Sequence, residues 1–204
     1  MRIIAGKYKG HRLQGPRDDA TRPTADRVRE ALFSILGDIE GARVLDLFAG
    51  TGALGLEALS RGAGHVTFVE MERGALDVLQ ANLDKVIRPE LHDNLNPVRV
   101  LRGDVHDHLA RFATTSERFD IVFVDPPYGE AQRHAPGLAA GVPGVLAAGG
   151  IVVAECDRRS PLLLEDEAFA RAQEPLPEVD ERRYGDTLVR IFRFPTHENG
   201  TQTS

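Results

Sequence analysis

Two rhythms of apolar residues alternate along the chain. Compact runs such as Ile121-Val122-Phe123-Val124 have the length of buried strands, and between them apolar positions return every three or four residues, the period of a helix with one buried face. The pattern predicts a helix over 25–36, with Val28, Leu32, Ile35 and Leu36 along one side. Then follow strand Arg43–Leu47, helix Ala53–Ser60, strand His65–Glu70, helix Arg73–Val86, strand 98–101, helix 106–113 and strand 121–124. A helical stretch near 136–146, a strand over 150–154, a short helix around 162–172 and a final strand over 187–194 complete the series. Such alternation predicts an α/β fold: a doubly wound, mostly parallel sheet with helices on both faces.

Ahead of this series, residues 2–13 hold short apolar stretches broken by Gly6, Gly10 and cationic residues, which predicts a small β-hairpin. The expected organisation is a basic N-terminal arm over 1–22, one main domain over 23–194 and a polar, disordered tail over 195–204. No apolar run is long enough to span a bilayer and the first residues lack a secretory signal, so a cytoplasmic monomer without membrane contact is expected. Cys156 is the single cysteine, which excludes an intramolecular disulfide and a cysteine-cluster zinc site; no metal is expected. The net charge of −6 argues against a nucleic-acid partner until its distribution is considered. The first thirty residues carry eight basic side chains against four acidic ones, and a basic arm on an acidic body can hold phosphates. Arg2, Lys7, Lys9 and Arg12 are therefore candidate phosphate contacts, with Arg22 and Arg29 behind them. Arg29 with Glu30 reads equally well as a surface ion pair.

The candidate chemistry lies at strand ends. Asp125-Pro126-Pro127-Tyr128 follows a buried strand, where open α/β sheets bind ligands. The two prolines stiffen the exit, leaving the Asp125 carboxylate and the Pro126 and Pro127 carbonyls to accept hydrogen bonds in the plane of an exocyclic amine. Tyr128 offers a ring on which a nucleobase can stack. Upstream, Gly50, Gly52 and Gly55 fit G-x-G-x-x-G between a strand and a helix, a spacing that suits an adenosine cofactor but does not single one out. Thr51 and Phe48 belong to the same turn. Glu70 could accept from ribose hydroxyls, with Met71 beside it, and Asp104 could accept from an adenine amine, with Val105 beside it. Asp46 would repel a pyrophosphate yet attract an ammonium, which favours S-adenosylmethionine over a dinucleotide. Asp46, Glu70, Asp104 and Asp125 follow four strands and are expected on one rim.

Together Asp46 to Gly52, Glu70 and Asp125 to Tyr128 resemble the class I S-adenosylmethionine-dependent methyltransferases that act on amines. More narrowly, Arg2-Ile3-Ile4-Ala5-Gly6, Arg22-Pro23-Thr24, Val28 to Phe33, Gly52 to Gly62 and Tyr184-Gly185-Asp186-Thr187 look like the bacterial 16S ribosomal RNA guanine-N2 methyltransferase family named for guanine 966. The resemblance covers residues 1 to about 194. It implies a seven-stranded Rossmann-like sheet whose last strand is antiparallel, places Thr24 near the cofactor, and implies 16S ribosomal RNA, or the small subunit containing it, as substrate. A related enzyme acting on DNA adenine or a protein amide, a noncatalytic RNA-binding assembly factor and a nicotinamide dehydrogenase remain as alternatives.

Overall fold

The computed structural model describes residues 1–15, 23–87, 97–127, 129–162, 164 and 178–196. Along the chain come α1 (Pro23–Leu36), β1 (Arg43–Leu47), α2 (Ala53–Ser60), β2 (His65–Glu70), α3 (Arg73–Val86), β3 (Val98–Arg102), α4 (Val105–Ala113), β4 (Phe119–Val124), α5 (Ala131–Gly141), a 3-10 turn (Pro143–Val145), β5 (Leu146–Asp157), β6 (Glu178–Tyr184) and β7 (Thr187–Arg193). The strands form one sheet in the order β3-β2-β1-β4-β5-β7-β6. The first five are parallel and β7 runs antiparallel to both its neighbours. This is the seven-stranded, doubly wound α/β sheet that the sequence and its resemblance imply.

Strand parity builds the two cores. Val44, Val66, Phe68, Phe123 and Val153 face α1, α2 and α3, while the residues beside them, Leu45, Leu47, Val69, Val122, Val124 and Ala154, face α4 and α5. Chain direction reverses its march across the sheet between β1 and β4, which opens the crevice where such sheets take ligands.

Three expectations change in the structure. The helix expected at 136–146 starts earlier, at Ala131, and carries Pro136 inside it. β5 begins at Leu146, because Gly149, at φ 74°, bends the strand without ending it, and its pairing with β4 shifts register between Phe119 and Ile121. The sequence pattern misses β6: Glu-Val-Asp-Glu-Arg-Arg-Tyr is an edge strand of mostly charged residues, so it has no apolar run to reveal it. The short helix expected around 162–172 falls almost wholly outside the described residues, as do residues 16–22 of the expected arm and the expected tail beyond Thr196.

The N-terminal arm folds back on itself as a short antiparallel hairpin around the Arg2–Arg12 pair, with Ile3 N–H donating to the His11 carbonyl at 3.0 Å and Leu13 N–H to the Met1 carbonyl at 3.1 Å. Its apolar side chains Ile3, Tyr8 and Leu13 are buried in the same core as α1, α2 and α3. The α2 helix grips its backbone: buried Glu57 accepts from the Ile4 and Ala5 N–H groups at 2.7 and 3.1 Å, and Ser60 Oγ accepts from the Tyr8 N–H at 2.9 Å. Gly6, at φ 79°, passes so close to the Ser60 carbonyl that a side chain there would overlap it. Among the described residues no helix is long and apolar enough to cross a membrane.

Candidate active site

A cleft of about 850 Å³ opens at the carboxyl ends of the central strands. Its volume is within the range of sites that enclose small molecules or cofactors. Asp46 of β1, Phe48, Gly50 and Thr51 of the glycine turn, Asp125 after β4 and Glu155 of β5 all line it, together with Arg29 of α1 and Met1 of the arm. The strand order sets the acids along one rim as Asp104, Glu70, Asp46 and Asp125.

The turn after β1 is shaped by what surrounds it. Gly50 and Gly52 both have positive φ, and Gly52 precedes α2 with no side chain of its own to cap it; the Asp46 carboxylate takes the Gly55 N–H of the first turn instead. A Cβ on Gly52 would strike Leu79, and one on Gly55 would strike the Phe68 ring, so α2 packs against β2 and α3 at a distance only glycine permits. Phe48 is the one non-glycine residue with positive φ among the described residues, at 57°. Such backbone strain concentrates where a ligand is held, and Phe48 both lines the cleft and meets the His134 ring edge-on at 4.8 Å.

Asp46 is 2% exposed, and its Oδ2 accepts from the Gly55 N–H at 2.9 Å. Burial pushes its carboxyl up to about 7; the Gly55 hydrogen bond opposes this and the nearby Glu70 charge adds to it. A cation beside Asp46 would restore its ionised form, so the donor set suits an ammonium-bearing ligand. Asp125 opens into the cleft while protein encloses it from behind. Its carboxyl stands well above the usual carboxylate range through burial first, then the charges of Glu155 and Asp46. Water in the open cleft weakens the burial effect on Asp125 but leaves the like-charge repulsion.

Other expected site residues are placed differently. Glu70 Oε2 accepts from the Gly50 N–H at 2.8 Å and Oε1 from Met71 and Glu72 at 2.8 and 2.7 Å. Its carboxylate holds the glycine turn to the end of β2, and it is not part of the cleft wall. Asp104 caps α4 by accepting from the His106 N–H at 2.8 Å, while Val105 is buried and Met71 is exposed beyond the wall. Thr24 stands inside the first turn of α1 rather than ahead of it. Tyr128 and Arg22 lie outside the described residues.

Arg29 is not the surface residue expected: it is 4% exposed, and its ion-pair partners are Asp26 and Glu57 rather than Glu30. Its Nη2 donates to the Arg2 carbonyl at 2.6 Å and to Asp26 at 2.9 Å, and its Nε faces Glu57 at 3.6 Å. Arg2, Lys7, Lys9 and Arg12 are exposed on the arm, with Lys85 donating to the Arg12 carbonyl at 2.7 Å. Sequence reasoning also missed Glu155, although a carboxylate within the apolar run 151–156 was a signal that something there faces a site.

Three comparisons bear on this geometry. The family model described as conserved hypothetical protein 95 matches residues 1–193. Bacillus subtilis YlbH, provisionally named an rRNA methyltransferase, is 38% identical over 163 residues, 79% of this chain and 85% of the relative. Ribosomal RNA small subunit methyltransferase D of Escherichia coli K12 is 43% identical over 129 residues, 63% of this chain and 60% of that protein. Among solved structures, the provisionally assigned methyltransferase yhhF of E. coli superposes with a TM-score of 0.72 at 32% identity, covering 96% of this chain and 98% of the other. With a matching family model across nearly its whole length and a methyltransferase sheet carrying the cleft at its switch point, the chain belongs to the conserved hypothetical protein 95 family.

Proposed function

We propose that the protein methylates an exocyclic amine of a base in small-subunit ribosomal RNA, the N2 amine of guanine, using S-adenosylmethionine. The observation that carries this reading is one cleft lined at once by Asp46, the glycine turn and Asp125. When bound, S-adenosylmethionine supplies an electrophilic methyl group. Asp46 would hold its ammonium, and Gly50, Thr51 and Phe48 its body. Glu70, Met71, Asp104, Val105 and Thr24 are proposed to act at its ribose and adenine end. Glu70 and Asp104 do so while holding the loops that carry them.

At the other end, an exocyclic amine is a weak nucleophile because its lone pair is delocalised into the ring. The Asp125 carboxylate and the Pro126 carbonyl accept its two hydrogens, returning density to nitrogen and fixing its direction, while Pro127 stiffens the turn, so orientation and charge placement supply most of the acceleration. Tyr128 is proposed to stack on the base, which must be swung from its neighbours to enter. Arg2, Lys7, Lys9, Arg12 and Arg22 bind phosphates around the cleft, whose wall the arm joins through Met1.

Tritiated S-adenosylmethionine tested against unmethylated small subunits, duplex DNA and protein decides the substrate. Label on the subunit, mapped by mass to guanine N2, is the expected result; label on DNA adenine or a protein amide instead overturns it. In the same assay Asp125→Ala is expected to lose about 10²–10³-fold in rate. A variant as fast as wild type removes Asp125 from the proposed role.

A further inference from the structure

Asp125 has a neighbour of the same charge. Val124 of β4 is paired with Ala154 of β5, so the next residues along, Asp125 and Glu155, stand side by side on adjacent strands, about 5 Å apart at the backbone. Parity sets their direction. Phe123 and Val153 face the core on the α1 side, and residues two apart on a strand share a face, so Asp125 and Glu155 project toward α1. Asp46, two residues beyond Val44, projects the same way. All three carboxylates and Arg29 line the same cleft.

We propose that Glu155 is a positioning residue for methyl transfer: its carboxylate stands beside that of Asp125, and the like charge makes Asp125 an effective acceptor of one proton, which the two then hold between them. This rests on the methylation of an amine proposed above. The methylated nitrogen must shed a proton. Its N–H bond breaks with the electron pair staying on nitrogen, an O–H bond forms on Asp125, and the pair passes from two negative charges and no proton to one negative charge and one shared proton. The pair then releases that proton to water.

A lone solvated carboxylate is too weak a base to help at neutral pH, whereas two adjacent ones cannot readily both ionise, which moves proton affinity into the working range. Burial raises the Glu155 carboxyl, with Arg29 pulling it back down. The surrounding charges complete the setting. Asp46 adds negative charge from β1, and Glu70 acts on Asp46. Arg29 from α1 is shared with Glu57 of α2 and with Asp26. Cys156, next along β5, has a thiol pushed up chiefly by burial, with Asp125 and Glu155 adding to the rise.

The test is a ¹³C-carboxyl NMR titration of purified protein without cofactor, comparing wild type with Glu155→Gln. The Asp125 midpoint is expected to fall by at least about one unit in the variant, since removing a like charge favours ionisation. In methyl transfer the acid limb of the rate profile should move to lower pH by a similar amount, with KM for S-adenosylmethionine within about twofold, and Glu155→Asp should restore the profile. An unmoved Asp125 midpoint in folded Glu155→Gln overturns the inference. If that variant does not fold, Asp125→Asn serves in reverse: the Glu155 midpoint must fall, and a fixed midpoint is equally decisive against the pair. Coupled midpoints in a protein that methylates no RNA would sink the proposed function and leave the carboxylate pair standing. Active wild type with uncoupled midpoints does the opposite.

Discussion

At the level of single residues, Gly55 shows how closely helix and sheet are fitted. Its α-carbon faces Phe68, which has no exposed surface, with Val66 behind it; a methyl group there would sit 2.6 Å from Phe68 Cζ and 2.9 Å from Val66 Cγ1. Neither wall can retreat, because both belong to β2 in the centre of the core. Gly55→Ala is expected to lose about 1–3 kcal/mol of stability by overpacking, read from the shift in a urea midpoint at unchanged slope. A loss under about 0.5 kcal/mol would mean that α2 lifts from the sheet more easily than these contacts imply. Gly55 was legible from spacing alone, since the third glycine of such a turn packs helix on strand. Arg29 was not: a charged residue in an amphipathic helix is ordinarily solvated, and only the partners brought by α2 and the arm bury it. Glu70 and Asp104 were legible as strand-end acids, but a sequence cannot tell a carboxylate that meets a ligand from one that holds its own loop.

Among the elements, the arm and α2 act as one unit. Glu57 has no exposed surface and accepts from Ile4 and Ala5 while Arg61 donates to it at 2.8 Å and Arg29 faces it at 3.6 Å. Asn82 of α3 fastens the arm's far end, donating to the Gln14 carbonyl at 3.1 Å and the Thr51 carbonyl at 2.9 Å, so the arm and the glycine turn share a support. Glu57→Gln keeps the shape but removes the charge that balances buried Arg29. The expected cost is about 3 kcal/mol, with hydrogen exchange at the Ile4 and Ala5 amides accelerating more than exchange in β1. Equal acceleration everywhere would show that the arm has no separate opening. The hydrophobic pattern revealed the central strands well, because β1, β2 and β4 are buried on both faces and read as apolar runs. It failed for β6, whose order comes from pairing rather than from any period of its own.

The whole molecule gathers carboxylates where the sheet changes direction, and its stability against pH should record this. For Asp46, burial dominates: the folded protein binds a proton more tightly than the unfolded chain does, between the ordinary value of 3.8 and about 7. Below that window both states are protonated and Asp46 has no effect; through it stability falls as pH rises, and above it the full penalty remains. Asp125 and Glu155, also raised, push in the same direction. Asp46→Asn retains an acceptor for the Gly55 N–H but cannot ionise. At pH 7.5 it should therefore be more stable than the wild type by on the order of 2 kcal/mol, a Tm rise of about 4–8 °C, with the gain shrinking toward zero near pH 4. S-adenosylhomocysteine, whose ammonium is proposed to meet Asp46, should raise the wild-type Tm at pH 7.5 and raise that of Asp46→Asn much less. A variant no more stable than wild type at pH 7.5, or one equally favoured at pH 4, would show that Asp46 is not a strained carboxylate awaiting a cation, and the placement of the cofactor's ammonium would fall with it.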